Sequence, residues 1–401
     1  MDPRNFNDLG LIVIAAGANW RLGTWLKIPA ALWMASMATA VAGILMGMRP
    51  VHRRLPQNGL FDWLHAIGLG WAIITTMACV LYLLVRWLDS RSAHSPDRRR
   101  LLGLATAPIL SAPAVILGYG VLGRNRFSLQ TVDIAIQNLP KDLVGLRLVQ
   151  LTDIHMSPFL TAPDLEHIVG MANETNPHIA LVTGDLITMR RDPIDHCLRI
   201  LSRLRASNGV YGCHGNHEIF ASIEDYVTRE GARFGIRFLR SQSAQLRFGG
   251  ANLNLAGVDY QRMGRPYLKG TERLLQPSSV NILLSHNPDV FPTAARMGYD
   301  LTVAGHTHGG QITVEILNQY ANVARFFTRY VSGLYRQDRA FEEQAQNGAS
   351  ARPGNHVDLL PVGPRRALFA SIYVSRGLGT VGVPARLGAP PELTLLRLCA
   401  G

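Results

Sequence analysis

Five clusters of side chains that can bind metal ions each follow a short apolar run of the chain. Their functional groups are carboxylates, imidazoles and an amide, and no thiolate is among them. The clusters are Asp153-Ile154-His155, Gly184-Asp185, Gly215-Asn216-His217-Glu218, His286-Asn287-Pro288-Asp289 and Gly305-His306-Thr307-His308-Gly309-Gly310. Such a donor set favours Mn, Fe or Zn over a structural zinc–thiolate site, and it does not choose among those three metals.

The apolar runs before the clusters predict strands of an α/β fold. After residue 127, short apolar runs alternate with helical patterns, which is typical of βαβ units and a largely parallel sheet. The carboxyl ends of the strands in such a sheet line one crevice, where ligands bind. We therefore expect seven donors to gather there: Asp153, His155, Asp185, Asn216, His286, His306 and His308.

The spacing and number of the donors point to more than one ion. Residues i and i+2 of an extended segment lie on the same side, so Asp-x-His and His-x-His can each offer two groups together. Seven oxygen and nitrogen ligands are too many for one tetrahedral ion. They suit two divalent ions, about 3.5–4 Å apart, that share a carboxylate.

These clusters, in this order, resemble the calcineurin-like metallophosphoesterase superfamily. They match its Asp-x-His, Gly-Asp, Gly-Asn-His-Glu, His and Gly-His-x-His signatures, and the resemblance covers about residues 127–401. Three further segments are similar to a membrane-associated or exported subgroup: Gly309-Gly310-Gln311, Ser375-Arg376-Gly377-Leu378-Gly379 and Pro391-Glu392. The resemblance implies a four-layer αββα sandwich, in which two sheets are flanked by helices.

The resemblance also implies a role for each donor. Asp153, His155 and His308 would hold one ion, Asn216, His286 and His306 the other, and Asp185 would bridge both. A hydroxide between the ions would attack phosphorus in line with the leaving oxygen, while the metals neutralise charge on the other phosphate oxygens. His217 would bind no metal, but would donate a proton to the leaving alkoxide or contact the phosphate.

Some residues near the clusters have both a functional and a structural interpretation. Glu218 could act directly or could serve a helix N-terminus, and Asp259 could line the cleft or belong to a strand-end turn. Phe326, Phe327, Tyr330 and Tyr335 could form a substrate-facing or membrane-facing lid, but ordinary packing is the favoured interpretation. His214 and His167 are expected to be structural or exposed.

The N-terminal part of the chain has the composition of a membrane domain. Apolar residues make up 47% of the sequence and charged residues only 17%, which favours membrane segments over an ordinary soluble fold. Residues 28–48, 64–85 and 101–123 are uncharged and long enough to span a bilayer, and residues 9–26 are a weaker candidate interrupted by Asn19 and Arg21. We predict a transmembrane helical region at 1–126, with three or four spans, and a catalytic domain at 127–401.

The charge distribution predicts the topology. Residues 1–126 contain 13 Lys and Arg against 5 Asp and Glu, and these basic residues flank the apolar runs. No basic stripe is evident in the rest of the chain, so we expect no nucleic-acid partner. The five arginines of residues 86–100 indicate a cytoplasmic loop, although three arginines at 49–54 oppose that orientation. We predict a multi-pass protein of the cell membrane with an extracytoplasmic catalytic domain.

The favoured functional hypothesis is a membrane-anchored enzyme that hydrolyses phosphomonoesters or phosphodiesters. The substrate could also be a lipid-linked phosphate, because a tethered domain meets substrates of the membrane surface at high local concentration. The alternative from another class is a membrane sensor or scaffold that binds metal or a phosphorylated ligand without turnover.

Overall fold

The computed structural model describes residues 3–47, 51, 59–90, 96–262, 267–316, 319–338 and 368–401. The chain divides into two compact units. The first comprises Met1–Gly123 and Val381–Leu387, and the second comprises Arg124–Thr380 and Gly388–Gly401. The polar composition of residues 337–366 predicts a long surface loop, and this segment lies outside the described residues except for Gln337 and Asp338 at the end of a strand.

The first unit is built from long helices. They are α1 (Pro3–Trp25), α2 (Ala30–Gly47), α3 (Gly59–Ser90) and α4 (Pro96–Gly123). Among the described residues, α3 and the Leu104–Gly123 part of α4 are long and apolar enough to cross a membrane, and Ala30–Met46 is apolar but shorter. The weak candidate at 9–26 lies within α1.

The polar residue that interrupts the first apolar run is fully hydrogen-bonded in the structure. The Asn19 amide donates to the Thr75 hydroxyl (3.0 Å) and to the Ala15 carbonyl (2.8 Å), and its oxygen accepts from the Ser36 hydroxyl (2.5 Å). A polar group without partners in hydrocarbon would cost several kcal/mol. Contacts with α2 and α3 therefore make Asn19 compatible with an apolar helix bundle.

The second unit contains two six-stranded sheets. Their strands are β1 (Ser128–Ile136), β2 (Arg147–Leu151), β3 (Ile179–Thr183), β4 (Val210–Cys213), β5 (Ile236–Phe238), β6 (Gln242–Phe248), β7 (Ala251–Gly257), β8 (Val280–Leu284), β9 (Leu301–Ala304), β10 (Thr313–Ile316), β11 (Gln319–Asn322), β12 (Gly333–Asp338), β13 (Phe369–Val374) and β14 (Glu392–Ala400). One sheet has the order β1-β14-β2-β3-β4-β5, and the other has the order β12-β13-β9-β8-β7-β6. β10 and β11 form a separate antiparallel pair.

Most strand pairs in the two sheets are parallel, as the sequence predicted. In the first sheet β2, β3, β4 and β5 run parallel, and β14 is antiparallel to β2. In the second sheet β7, β8, β9 and β13 run parallel, with β6 and β12 antiparallel at the edges. β6 and β7 form a hairpin that turns at Gly249-Gly250, with Phe248 paired to Ala251.

The sheets pack face to face and their outer faces are covered by helices. One apolar cluster joins Leu148 and Ile179 of the first sheet to Leu255 and Ile282 of the second. The helices are α5 (Ala162–Glu174), α6 (Ile194–Leu201), α7 (Asn216–Ala221), α8 (Glu224–Arg233) and α9 (Phe291–Met297). Residues of α5, α6 and α8 pack on the first sheet, and residues of α9 pack on the second. The four-layer αββα fold class is therefore confirmed.

Burial of the central strands explains why they appear as continuous apolar runs. Every residue of β3, β8 and β9 is buried, because both faces of each sheet are covered. The helix that joins β2 to β3 begins where the sequence predicts. Thr161 and Asp164 form a capping box there, with the Thr161 N–H 2.8 Å from the Asp164 carboxylate.

Candidate metal centre

The strand ends bring most of the predicted donors into three overlapping groups. In each group the potential ligand atoms all lie within 4.8 Å of one another. The groups are Asp153, His155 and His308; His155, Asp185 and His217; and Asp185, His286 and His306. They come from the ends of β2, β3, β8 and β9 and from the first turn of α7 after β4.

The Asp185 carboxylate lies between the outer groups. Its Oδ2 is 3.1 Å from His286 Nε2 and 3.5 Å from His155 Nε2. Asp153 Oδ1 is 3.3 Å from His308 Nε2 and 3.9 Å from His286 Nε2. Asp185 therefore contacts histidines of two of the three groups.

Three buried polar atoms in this region make no well-oriented hydrogen bond among the described residues, although two of them lie close to the Asp185 carboxylate. They are His155 Nε2, His286 Nε2 and the side-chain oxygen of Asn216. Both histidines are fully buried, and Asn216 is 6% exposed. A buried polar atom without a partner indicates an ion or ligand that completes the site. The donors present therefore fit divalent cations.

In three of the four proposed histidine ligands, ring atom Nδ1 has an oxygen neighbour. His286 Nδ1 donates to the Thr183 carbonyl (2.7 Å), so Nε2 is the ring nitrogen that can bind a metal once its proton is displaced. His155 Nδ1 lies 3.1 Å from the Thr188 hydroxyl, and His308 Nδ1 lies 3.3 Å from the Gly379 carbonyl. Such contacts orient metal-binding histidines and make them more basic.

The two carboxylates create a strongly negative environment. Burial alone would lower the pKa of His286, but Asp185 and Asp153 outweigh that effect and raise it to about 10. Burial and the charge of His286 lower the pKa of His306 to about 3. A proton on His286 thus offsets part of the carboxylate charge, and divalent cations would displace that proton.

The backbone at five of the seven donors is in the left-handed region that residues other than glycine rarely adopt. The residues and their φ angles are Asp153 (51°), His155 (46°), Asp185 (54°), His306 (76°) and His308 (52°). Each such conformation costs of order 1–3 kcal/mol and persists only when the surrounding structure enforces it. Strain concentrated at one cluster is typical of a functional site.

The segment from Ser375 to Gly379 packs directly against the first group. A Cβ on Gly377 would lie 2.5 Å from Asp153 Cβ, and a Cβ on Gly379 would lie 2.2 Å from the Ile154 carbonyl oxygen. The buried Glu392 carboxylate fixes this segment by accepting from the Arg376 N–H (2.9 Å) and its guanidinium (2.5 Å). Two of the motifs similar to the membrane-associated subgroup thus pack against the candidate metal centre.

Gly377→Ala is expected to lower both the metal content and the melting temperature. Gly377 has a φ of 69°, so alanine adds backbone strain, of order 1–3 kcal/mol, to the clash with Asp153. Gly145→Ala is the matched control, because Gly145 has a φ of 81° and open space at its Cβ position. Metal analysis and thermal denaturation of both variants should separate them. Equal metal content in the two variants would contradict the positioning role of Gly377.

Glu218 supports two of the ligand loops through backbone contacts. Its fully buried carboxylate accepts from the N–H groups of Gly215 (2.7 Å), Leu186 (2.7 Å) and Asp185 (3.0 Å). Burial raises its pKa. These contacts favour the structural interpretation of Glu218, at the N-terminus of α7, over a direct role.

His217 approaches the centre from the first turn of α7. Its N–H donates to Asp185 Oδ1 (2.9 Å), and its ring Nδ1 donates to the Thr188 carbonyl (2.6 Å). The ring lies edge-on to His155, with centroids 4.7 Å apart. The His217 side chain therefore has one nitrogen held by the protein and a fixed position beside the ligands.

Sequence reasoning missed Tyr260. Its hydroxyl is 3.4 Å from His306 Nε2, and burial raises its pKa to about 12. The neighbouring Asp259, which the sequence suggested as a cleft residue, pairs with Arg240 at 3.0 Å. Tyr260 follows β7, which pairs with β8, the strand that leads to His286. That position is the signal that could have identified it.

Comparison with known proteins agrees with this architecture. Residues 146–310 match the family model described as calcineurin-like phosphoesterase, and this range includes all seven donors and His217. A Bos taurus relative, "Transmembrane protein with metallophosphoesterase domain", is 27% identical over 354 residues, which is 82% of this chain and 72% of that protein. "Uncharacterized metallophosphoesterase YkuE" of Bacillus subtilis (strain 168) is 28% identical over 272 residues, which is 65% of this chain and 81% of that protein.

Proposed function

We propose that this chain, whose residues 146–310 match the calcineurin-like phosphoesterase family model, is a membrane-anchored enzyme that hydrolyses phosphomonoesters or phosphodiesters with two divalent metal ions. One observation carries this proposal. Carboxylate and imidazole groups from separate strand ends converge around Asp185, and three buried ligand atoms there make no well-oriented hydrogen bond among the described residues.

We assign the donors to two metal positions. Asp153, His155 and His308 would hold one ion, Asn216, His286 and His306 the other, and Asp185 both. When bound, two ions of Mn, Fe or Zn would make a water more acidic and neutralise charge on the phosphoryl oxygens. His155 and His286 orient their Nε2 atoms through Nδ1 contacts with Thr188 and Thr183.

His217 is the proposed proton donor to the leaving oxygen. Its Nδ1 is held by the Thr188 carbonyl, so the other nitrogen is left to face the reacting group. Tyr260 lies next to His306, where its hydroxyl could contact a phosphate oxygen. The test is turnover of p-nitrophenyl phosphate and bis(p-nitrophenyl) phosphate by the purified chain with Mn²⁺. Metal binding without turnover of a broad substrate panel would favour the sensor or scaffold instead.

Divalent metal is expected to stabilise the protein. A ligand at a hundredfold excess over its Kd adds about 2.7 kcal/mol, which raises the melting temperature of a domain of this size by about 5–10 °C per ion. Thermal denaturation of the full chain in detergent, with Mn²⁺ or with a chelator, measures the shift. Asp153→Asn should reduce the shift, whereas Asp133→Asn, at an exposed residue paired with Arg397, should not. A melting temperature insensitive to every divalent metal would count against the centre.

We also propose that α1–α4 form a multi-pass anchor of the cell membrane and that the catalytic unit is extracytoplasmic. The apolar character of α2, α3 and α4 and the relative whose name describes a transmembrane protein support the anchor. Lipid-linked phosphate esters are candidate substrates for such an enzyme, and the proposal includes no nucleic acid. A cysteine introduced at the exposed Val144, in a Cys399→Ser chain, should react with an impermeant maleimide on intact cells.

A further inference from the structure

Two adjacent phenylalanines are the most exposed large apolar side chains among the described residues of the second unit. Phe326 is 87% exposed and Phe327 is 67% exposed. The sequence favours ordinary packing for four aromatic residues of this region, but in the structure two of them are packed and two are exposed. Tyr330 and Tyr335 pack against each other, with ring centroids 5.3 Å apart, and Tyr330 also packs against Phe291. Packing therefore accounts for the two tyrosines and not for the two phenylalanines.

The local structure holds the phenylalanine pair outward. The Asn322 side chain accepts from the Arg325 N–H (3.1 Å) and caps the helical turn Val323–Phe326. The Thr328 hydroxyl donates to the Asp289 carboxylate (2.5 Å) and accepts from the Tyr330 N–H (3.1 Å). Both sides of the pair are thus fixed by hydrogen bonds, so the exposure of the rings is built into the segment.

The same segment is joined to the loop that carries two proposed metal ligands. The hydroxyl of Thr307, which lies between His306 and His308, donates to the Val331 carbonyl. Gly310 approaches Asn322 so closely that a Cβ there would lie 2.6 Å from Asn322 Cβ. Contacts of the segment that carries the phenylalanine pair therefore connect it to the loop of His306 and His308.

Exposed cations flank the pair on both sides. Arg325 and Arg329 are exposed, so the surface has an apolar tip with a positive charge at each edge. A protein partner would require a shaped apolar surface, whereas a lipid surface accepts inserted aromatic rings and supplies phosphates for arginines. The chain's own apolar helices make such a surface available, because only residues 124–127 separate α4 from β1.

We propose that Phe326 and Phe327 insert into an anionic lipid surface while Arg325 and Arg329 contact lipid phosphates. This docking would hold the loop of His306 and His308 next to the headgroup layer. The substrate class follows from this docking together with the proposed phosphoesterase function, on which this second step rests. The substrates would be phosphate esters of lipid headgroups.

An environment-sensitive fluorophore at position 326 tests the docking without any need for turnover. The full chain with Cys399→Ser and Phe326→Cys would be labelled with nitrobenzoxadiazole, since the other three cysteines are buried. It would then be reconstituted in phosphatidylcholine with or without phosphatidylglycerol. In the anionic bilayer we expect blue-shifted emission that lipid-borne nitroxides quench. The matched control is Val144→Cys, a 52% exposed apolar position, which should keep water-like emission.

The flanking charges provide a second measurement. Arg325→Gln and Arg329→Gln are each expected to lower the docked-to-undocked ratio in the anionic bilayer by about fivefold. Emission at position 326 that stays as water-like as at position 144 in every bilayer would overturn the docking, and would favour a protein partner. If the chain docks but hydrolyses no soluble diester, the proposed phosphoesterase function is wrong and the proposed lipid docking is retained.

Discussion

Asp185→Asn is expected to reduce kcat/KM for bis(p-nitrophenyl) phosphate by more than about a hundredfold and to lower the metal content. Residues that only orient metal ligands already cost about 10–100-fold when they are changed, and Asp185 is proposed as a ligand of both ions. Asparagine has the same shape and can still accept from the His217 N–H, which is 2.9 Å from Oδ1. The substitution therefore removes mainly the negative charge between His155 and His286.

Steady-state kinetics and metal analysis of the purified chain measure this effect. Asp133→Asn is the matched control, because it makes the same change at an exposed carboxylate outside the centre. It should keep both activity and metal. An Asp185→Asn protein with normal turnover would mean that the reaction does not depend on this carboxylate, and the dinuclear mechanism would fail.

Much of the fold and of the candidate site could be predicted because the chemistry follows buried parallel strands. β3, β8 and β9 are recognisable as short apolar runs since both of their faces are covered. The polar clusters come directly after such runs, and parallel strands bring their ends to one edge. The local pattern thus indicated that distant donors meet. The sandwich arrangement of the two sheets came only from the family resemblance.

Features that depend on contacts between distant residues could not be predicted. The left-handed backbone at Asp153 opposes the preference of its residue type, and only the surrounding structure enforces it. The sequence likewise could not separate the packed Tyr330 from the exposed Phe326, because packing depends on Phe291, some distance along the chain. Asn19 interrupts an apolar run, and its partner Thr75 lies 56 residues away.

His217→Ala is expected to lower kcat for an alkyl phosphate ester by about 10²–10⁴-fold and to leave the metal content unchanged. That range is typical of general acid catalysis. The loss should be smaller for p-nitrophenyl phosphate, because nitrophenolate is a stable leaving group that needs little protonation. Comparing the two leaving groups in wild type and variant measures the contribution of the proton.

The leaving-group comparison and the metal content together separate three roles for His217. Its side chain groups with His155 and Asp185 within 4.8 Å, so a metal-binding role is the direct competitor. A His217→Ala protein that loses metal as Asp185→Asn does would make His217 a ligand and contradict the proton-donor role. An equal loss for both leaving groups would indicate contact with the phosphate instead. His196→Ala, at an exposed histidine of α6, should change neither quantity, so any loss can be attributed to the position of His217 beside Asp185.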